Sequence, residues 1–131
     1  MATVLIDTSV LVDVERSGEA LEERVGEKER AISVITLSEL LHGVWRAGSE
    51  IRRVRRQAFV EALVAAIEPI HITPPIARVH AEIWACLEER GSVIGAHDLW
   101  IAATAIGHDM PLVTANRREF ERVDGLTVIA L

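Results

Sequence analysis

Four acids stand out for where they sit rather than for any local cluster: Asp7, Glu39, Asp98 and Glu119 are far apart along a chain of 131 residues. Each follows or opens a segment of regular patterning. Carboxylates drawn together from distant positions repel one another, which raises their pKa values unless a cation neutralises them. The available partners are oxygen donors. The single cysteine is Cys86, and the five histidines show no HxxxH or HExxH spacing. Hard oxygen ligands without thiolate or paired imidazole select Mg²⁺ or Mn²⁺ over Zn²⁺. Ions of that kind can activate water and hold a phosphodiester for in-line attack.

Each acid also has a local explanation. Asp7 is a possible helix cap. Glu39 completes the pattern Thr36-Leu37-Ser38-Glu39, a capping box. Asp98 in a first helical turn favours the helix dipole. Glu119 lies among Arg117, Arg118, Glu121 and Arg122, where a solvated face is the simpler reading. Asp13 is read as surface.

The elements that position these acids follow from hydrophobic patterning. Thr3 to Ile6 is a short aliphatic run, expected as a buried strand. Thr8 and Ser9 offer an N-cap, and Val10, Leu11 and Val14 carry an apolar stripe. Ser17 to Lys28 is charged and reads as an exposed helix or helix plus loop. A second strand is expected over Ala31 to Ile35, then a helix from the Thr36 capping box towards Gly48. Glu50 to Ile67 is the clearest helix, with Phe59, Leu63 and Ile67 at i, i+4 spacing and Pro69 beyond it. A brief strand at Ile70 to Ile72 precedes a helix over Ile76 to Arg90, closed by Gly91. Gly95 introduces a helix from Ala96 to about His108. Leu112 to Thr114 is a strand, Arg117 to Val123 holds one helical turn, and Leu126 to Leu131 is the last strand.

Strands alternating with helices predict an α/β fold: three layers, α/β/α, around a mostly parallel sheet of four or five strands. Sites in such sheets form at the carboxyl edge of the strands. Asp7 directly follows the first strand, and Glu39 sits early in the helix after the second. Asn116 and Glu119 follow the strand at Leu112. Asp98 opens a helix that feeds the next strand, and a right-handed crossover runs that helix away from the same edge. Topology therefore places all four carboxylates on one edge, without fixing their lateral separation.

Composition narrows the function class. Half the residues are hydrophobic, the net charge is −6, and aromatic residues are few, with no Tyr. A single aliphatic core spanning residues 1–131 as one domain is expected. The acidic balance argues against sequence-independent coating of nucleic acid, yet metal between carboxylate and phosphate still permits phosphodiester chemistry. The opening Met1-Ala2-Thr3-Val4-Leu5-Ile6-Asp7 lacks the basic start of a signal peptide, and no apolar run approaches membrane-spanning length, so a cytoplasmic protein is expected.

Four stretches carry a family likeness: Val4-Leu5-Ile6-Asp7-Thr8-Ser9-Val10-Leu11-Val12-Asp13; Ile35-Thr36-Leu37-Ser38-Glu39-Leu40-Leu41-His42-Gly43-Val44; Ile94-Gly95-Ala96-His97-Asp98-Leu99-Trp100-Ile101-Ala102-Ala103-Thr104-Ala105; and Leu112-Val113-Thr114-Ala115-Asn116-Arg117-Arg118-Glu119-Phe120. In this order the chain resembles a PIN domain, and more closely a VapC-type toxin ribonuclease. The resemblance implies Asp7, Glu39, Asp98 and Glu119 as metal-binding catalytic residues, with Thr114 and Asn116 orienting water or ligands. It implies Mg²⁺ or Mn²⁺, RNA as substrate, a homodimer and a small inhibitory antitoxin. Two departures stand out. The last motif often carries Asp where this chain has Glu119. His97 and Trp100 put bulk beside Asp98 where small aliphatics are common.

Other residues keep two readings. Arg52-Arg53-Val54-Arg55-Arg56 is the only basic cluster, a solvated helix face or a track for phosphate or an acidic partner. Trp45 and Trp84 suit a core or an interface. Cys86 reads as a small core residue. His42, His71, His80 and His108 read as structural or surface groups, and His97 as near the site. Competing classes fare worse. A haloacid-dehalogenase-type phosphatase needs a second Asp two residues after the first, where this chain has Ser9. A phospho-accepting receiver domain needs a late Lys, and Lys28 is the only lysine. A non-catalytic binding module on the same fold remains the alternative.

Overall fold

A computed structural model describes residues 3–131. The elements run β1 (Thr3–Ile6), α1 (Thr8–Ser17), α2 (Leu21–Val25), β2 (Glu29–Ala31), α3 (Val34–Trp45), α4 (Glu50–Ala66), α5 (Pro74–Glu89), α6 (Ala96–Gly107), β3 (Leu112–Thr114), α7 (Arg117–Phe120) and β4 (Val128–Ala130). The four strands form one sheet in the order β2-β1-β3-β4, every pair parallel. The expected three-layer α/β/α fold is therefore present, with four strands.

Alternation along the central strands divides the core. Val4 and Ile6 of β1 and Val113 of β3 face α1, α3 and α4, packing with Val10, Leu11, Leu40, Val60 and Leu63. Leu5 and Leu112 face the other way, onto Ile76, Ile83, Ile101 and Phe120 of α5, α6 and α7. Both central strands are thus buried on both faces, as a parallel sheet demands.

Several sequence expectations shift. The second strand ends at Ala31 instead of Ile35, because pairing to β1 stops at the Leu5–Ala31 register. The helix then begins at Val34, and its N-cap is Ser33, whose hydroxyl accepts the Thr36 N–H at 3.0 Å. The Thr36–Glu39 capping box does not form. The strand expected at Ile70 to Ile72 is reduced to one parallel bridge between Ser33 and Ile70, and Cys86 is half-buried rather than deep in the core. The basic cluster on α4 is partly structural: Arg56 donates to the Gly43 carbonyl at 2.8 Å, pinning α4 to α3.

Candidate active site

The strand order decides where a site can form. From β1 the chain moves outward to β2 on one side, while β3 and β4 lie on the other. The crevice between the carboxyl ends of β1 and β3 is the switch point, the usual ligand position in open parallel sheets. Asp7 follows β1 there, and Thr114 ends β3.

Asp7 is only 4% exposed. It occupies the N-cap position of α1, yet its side chain makes no capping bond. Its Oδ2 instead accepts hydrogen bonds from the Ser9 hydroxyl at 2.6 Å and the Thr114 hydroxyl at 2.9 Å. The backbone N–H of Asp7 donates to Val113 O at 2.9 Å, locking the residue to β3. Thr114 Oγ1 accepts from Asn116 N at 2.9 Å, and Ser9 Oγ accepts from Ala115 N at 3.0 Å. A buried carboxylate tolerates this position because two hydroxyls replace its lost water.

Glu39 reaches the same region from the second turn of α3, a turn later than the capping-box reading placed it. The Thr8 hydroxyl donates to its Oε1 at 2.7 Å. His97 Nδ1 lies 3.5 Å from its Oε2. Asp98, in the first turn of α6, lines the same cleft. The cleft is lined by Asp7, Thr8, Ser9, Val12, Asp13, Glu39, Asp98, Ala115 and Asn116.

Glu119 behaves differently. Its Oε1 accepts the backbone N–H of Gly95 at 3.1 Å, and Arg122 stands 4.0 Å from Oε2. It is neither a freely solvated side chain nor part of the cleft lining. It braces the N-cap of α6, the helix that carries Asp98. Its charge still reaches Asp98.

The electrostatics agree with convergence. Burial, then the negative charges of Asp7, Glu39 and Glu119, push the Asp98 carboxyl up to about 6, while His97 works in the other direction. Burial also raises the Asp7 pKa; the hydroxyls of Ser9 and Thr114 oppose it and Glu39 adds to it. Carboxyl groups held this high mark a site that favours a neutralising positive charge.

Several residues escaped sequence reasoning. Asp13, read as surface, is half-buried and lines the cleft one helical turn above Ser9. The i, i+4 spacing from Ser9 was the available signal. Ser9 and Thr8, read as caps, instead hold the carboxylates of Asp7 and Glu39. His42, read as structural or surface, borders a depression beside Glu39.

Among the described residues no three acidic, imidazole or thiol side chains converge tightly enough to form a ready-made metal cage. The donor chemistry nevertheless fits Mg²⁺ or Mn²⁺. Mg²⁺ in particular is usually held by one or two carboxylates, with water and substrate phosphate filling the remaining positions.

Fold and site together define an open parallel α/β domain with an oxygen-lined acidic cleft at its switch point. The chain belongs to the PIN domain family, which matches residues 4–126, and within it to the VapC ribonuclease group. It is 34% identical to ribonuclease VapC1 of Rickettsia felis, over 98% of this chain and 96% of that protein. It is 30% identical to the tRNA(fMet)-specific endonuclease VapC of Salmonella typhimurium, over 98% of this chain and 97% of the relative. Among solved structures, VapBC-5 of Mycobacterium tuberculosis, a member of the VapBC family of toxin–antitoxin systems, superposes with a TM-score of 0.84 at 31% identity, covering 100% of both chains.

Proposed function

We propose that the chain is the ribonuclease toxin of a toxin–antitoxin pair, hydrolysing RNA phosphodiesters in the cleft of Asp7, Glu39 and Asp98. The observation that carries this reading is the meeting of those three acids at the switch point with none used as a helix cap. The curated relatives, named as ribonucleases and as a tRNA endonuclease, point to RNA.

A bound Mg²⁺ or Mn²⁺ would neutralise the phosphate and acidify a water for attack at phosphorus. Asp7 and Asp98 would hold it, with Glu39 the third ligand. Ser9 and Thr114 keep Asp7 Oδ2 fixed and leave Oδ1 uncommitted among the hydrogen bonds of the described residues. Thr8 orients Glu39, whose other oxygen faces His97. Glu119 contributes its field and the brace on Gly95, acting as a ligand only at one remove. Asn116 lines the cleft beside Ala115 and is placed to orient water or substrate.

The same reading makes the chain a single cytoplasmic domain that pairs with itself and with a small antitoxin. No helix among the described residues is long and apolar enough to cross a membrane. Trp45 and Ile51 stand 77% and 73% exposed on the α3–α4 hairpin, apolar surface of the kind a protein partner covers.

The test is cleavage of RNA by the wild type with Mn²⁺ or Mg²⁺, against an Asp7→Asn, Asp98→Asn double variant. Loss of at least about 100-fold in rate is expected, the scale on which removal of charge-stabilising groups acts. RNA cleavage persisting in the double variant would remove the proposal.

A further inference from the structure

The acidic cleft has a neighbour. A second depression is bounded by Thr8, Ser38, Glu39, His42 and His97, and it shares Thr8 and Glu39 with the first. Glu39 is therefore a wall between two contiguous spaces. A substrate whose reacting phosphate lies on one side of that wall extends naturally into the other.

The lining of the second space is hydroxyl and imidazole, with one carboxylate. Ser38 and His42 are both exposed and sit at i, i+4 on α3, on one face of the helix. His97 approaches from α6, with its side chain 60% exposed. A carboxylate wall disfavours a phosphate here, whereas hydroxyl and imidazole groups suit a sugar hydroxyl. His97 Nδ1 stands 3.5 Å from Glu39 Oε2, on the wall the two spaces share. An imidazole ring can donate to or accept from an incoming hydroxyl.

The chemistry of the reaction calls for such a group. When water is the nucleophile, the 2′-hydroxyl is not consumed, so nothing in the bond-breaking step distinguishes RNA from DNA. Contact with the 2′-hydroxyl is then the direct way for a site to tell a ribose from a deoxyribose. We propose that the second depression seats the ribose of a nucleotide next to the cleaved bond, and that His97, with His42 lining the same depression, reads its 2′-hydroxyl. This inference rests on the ribonuclease reading above and adds the residues that select the sugar.

The test uses an RNA oligonucleotide cut by the wild type, and versions in which one nucleotide at a time around the cleaved bond is 2′-deoxy. Wild type, His97→Ala and His42→Ala are compared by kcat/KM, with thermal melts to check folding; both side chains are exposed, so the variants should fold. One deoxy position should lower wild-type kcat/KM by about fivefold, the scale of one hydrogen bond. His97→Ala should lose a similar factor on the all-ribose substrate and show no further loss at that position. A deoxy penalty of equal size in the wild type and both histidine variants would overturn the assignment, as would a wild type indifferent to deoxy substitution while cutting RNA. Failure of the wild type to cut RNA at all would remove the ribonuclease reading, and this inference with it.

Discussion

Burial and three like charges hold the Asp98 carboxyl near 6, against an ordinary value of 3.8. Because the folded-state pKa lies above the unfolded one, the folded protein binds this proton more tightly than the unfolded chain does between about pH 4 and 6. Stability is therefore greatest below that window and falls as pH rises through it. Asp7 shifts in the same direction. Metal-free protein should melt at a higher temperature at pH 5 than at pH 7.5. Asp98→Asn removes one of the repelling charges. It should stabilise the metal-free protein at pH 7.5 by about 1 kcal/mol, after discounting for the half-exposed side chain, while abolishing activity. Thermal melts in chelator at the two pH values measure this. An identical pH slope in wild type and variant would mean that folding does not raise the Asp98 pKa.

At the level of the element, the aim of Glu39 depends on where α3 begins. Ser33 and Thr36 are both good cap residues, and Thr36 has Glu39 three positions later, so local rules favour Thr36. The sheet overrides them. β2 leaves β1 after Ala31, and the fully buried Ser33 becomes the turning point, capping Thr36 N and pairing as a bridge with Ile70. Starting the helix at Val34 puts Glu39 in its second turn, where Thr8 can reach it. Ser33→Ala should cost roughly 1–2 kcal/mol in urea unfolding and lower activity as Glu39 loses its fixed placement. A variant as stable and active as wild type would transfer the cap back to Thr36.

For the molecule as a whole, the net charge of −6 and the acidic cleft make a divalent cation the natural mediator between this protein and a polyanion. Binding to the folded state alone raises stability by linkage, by about 2.7 kcal/mol at a concentration 100 times the dissociation constant. Saturating Mn²⁺ at pH 7.5 should accordingly raise the melting temperature of the wild type by several degrees, and Asp7→Asn should lose that increase. A gain of the same size in the variant would place the ion elsewhere.

The order of strands and helices could be read directly from the chain, because hydrophobic period, Pro and Gly stops and β-branched runs are local properties of residues such as Thr3 to Ile6 and Phe59 to Ile67. The carboxyl-edge placement of Asp7, Glu39 and Asp98 followed too, since the handedness of crossovers leaves little choice. The lateral arrangement did not follow. Nothing local to Val4 or Leu112 states that β1 and β3 are neighbours; that arises from how two aliphatic faces share one core. Only that adjacency lets Thr114 and Ser9 hold Asp7, turns Glu119 aside to brace Gly95, and brings Asp13 to the cleft wall. Side-chain partnerships across the sheet are long-range, and they form only when the whole chain has packed.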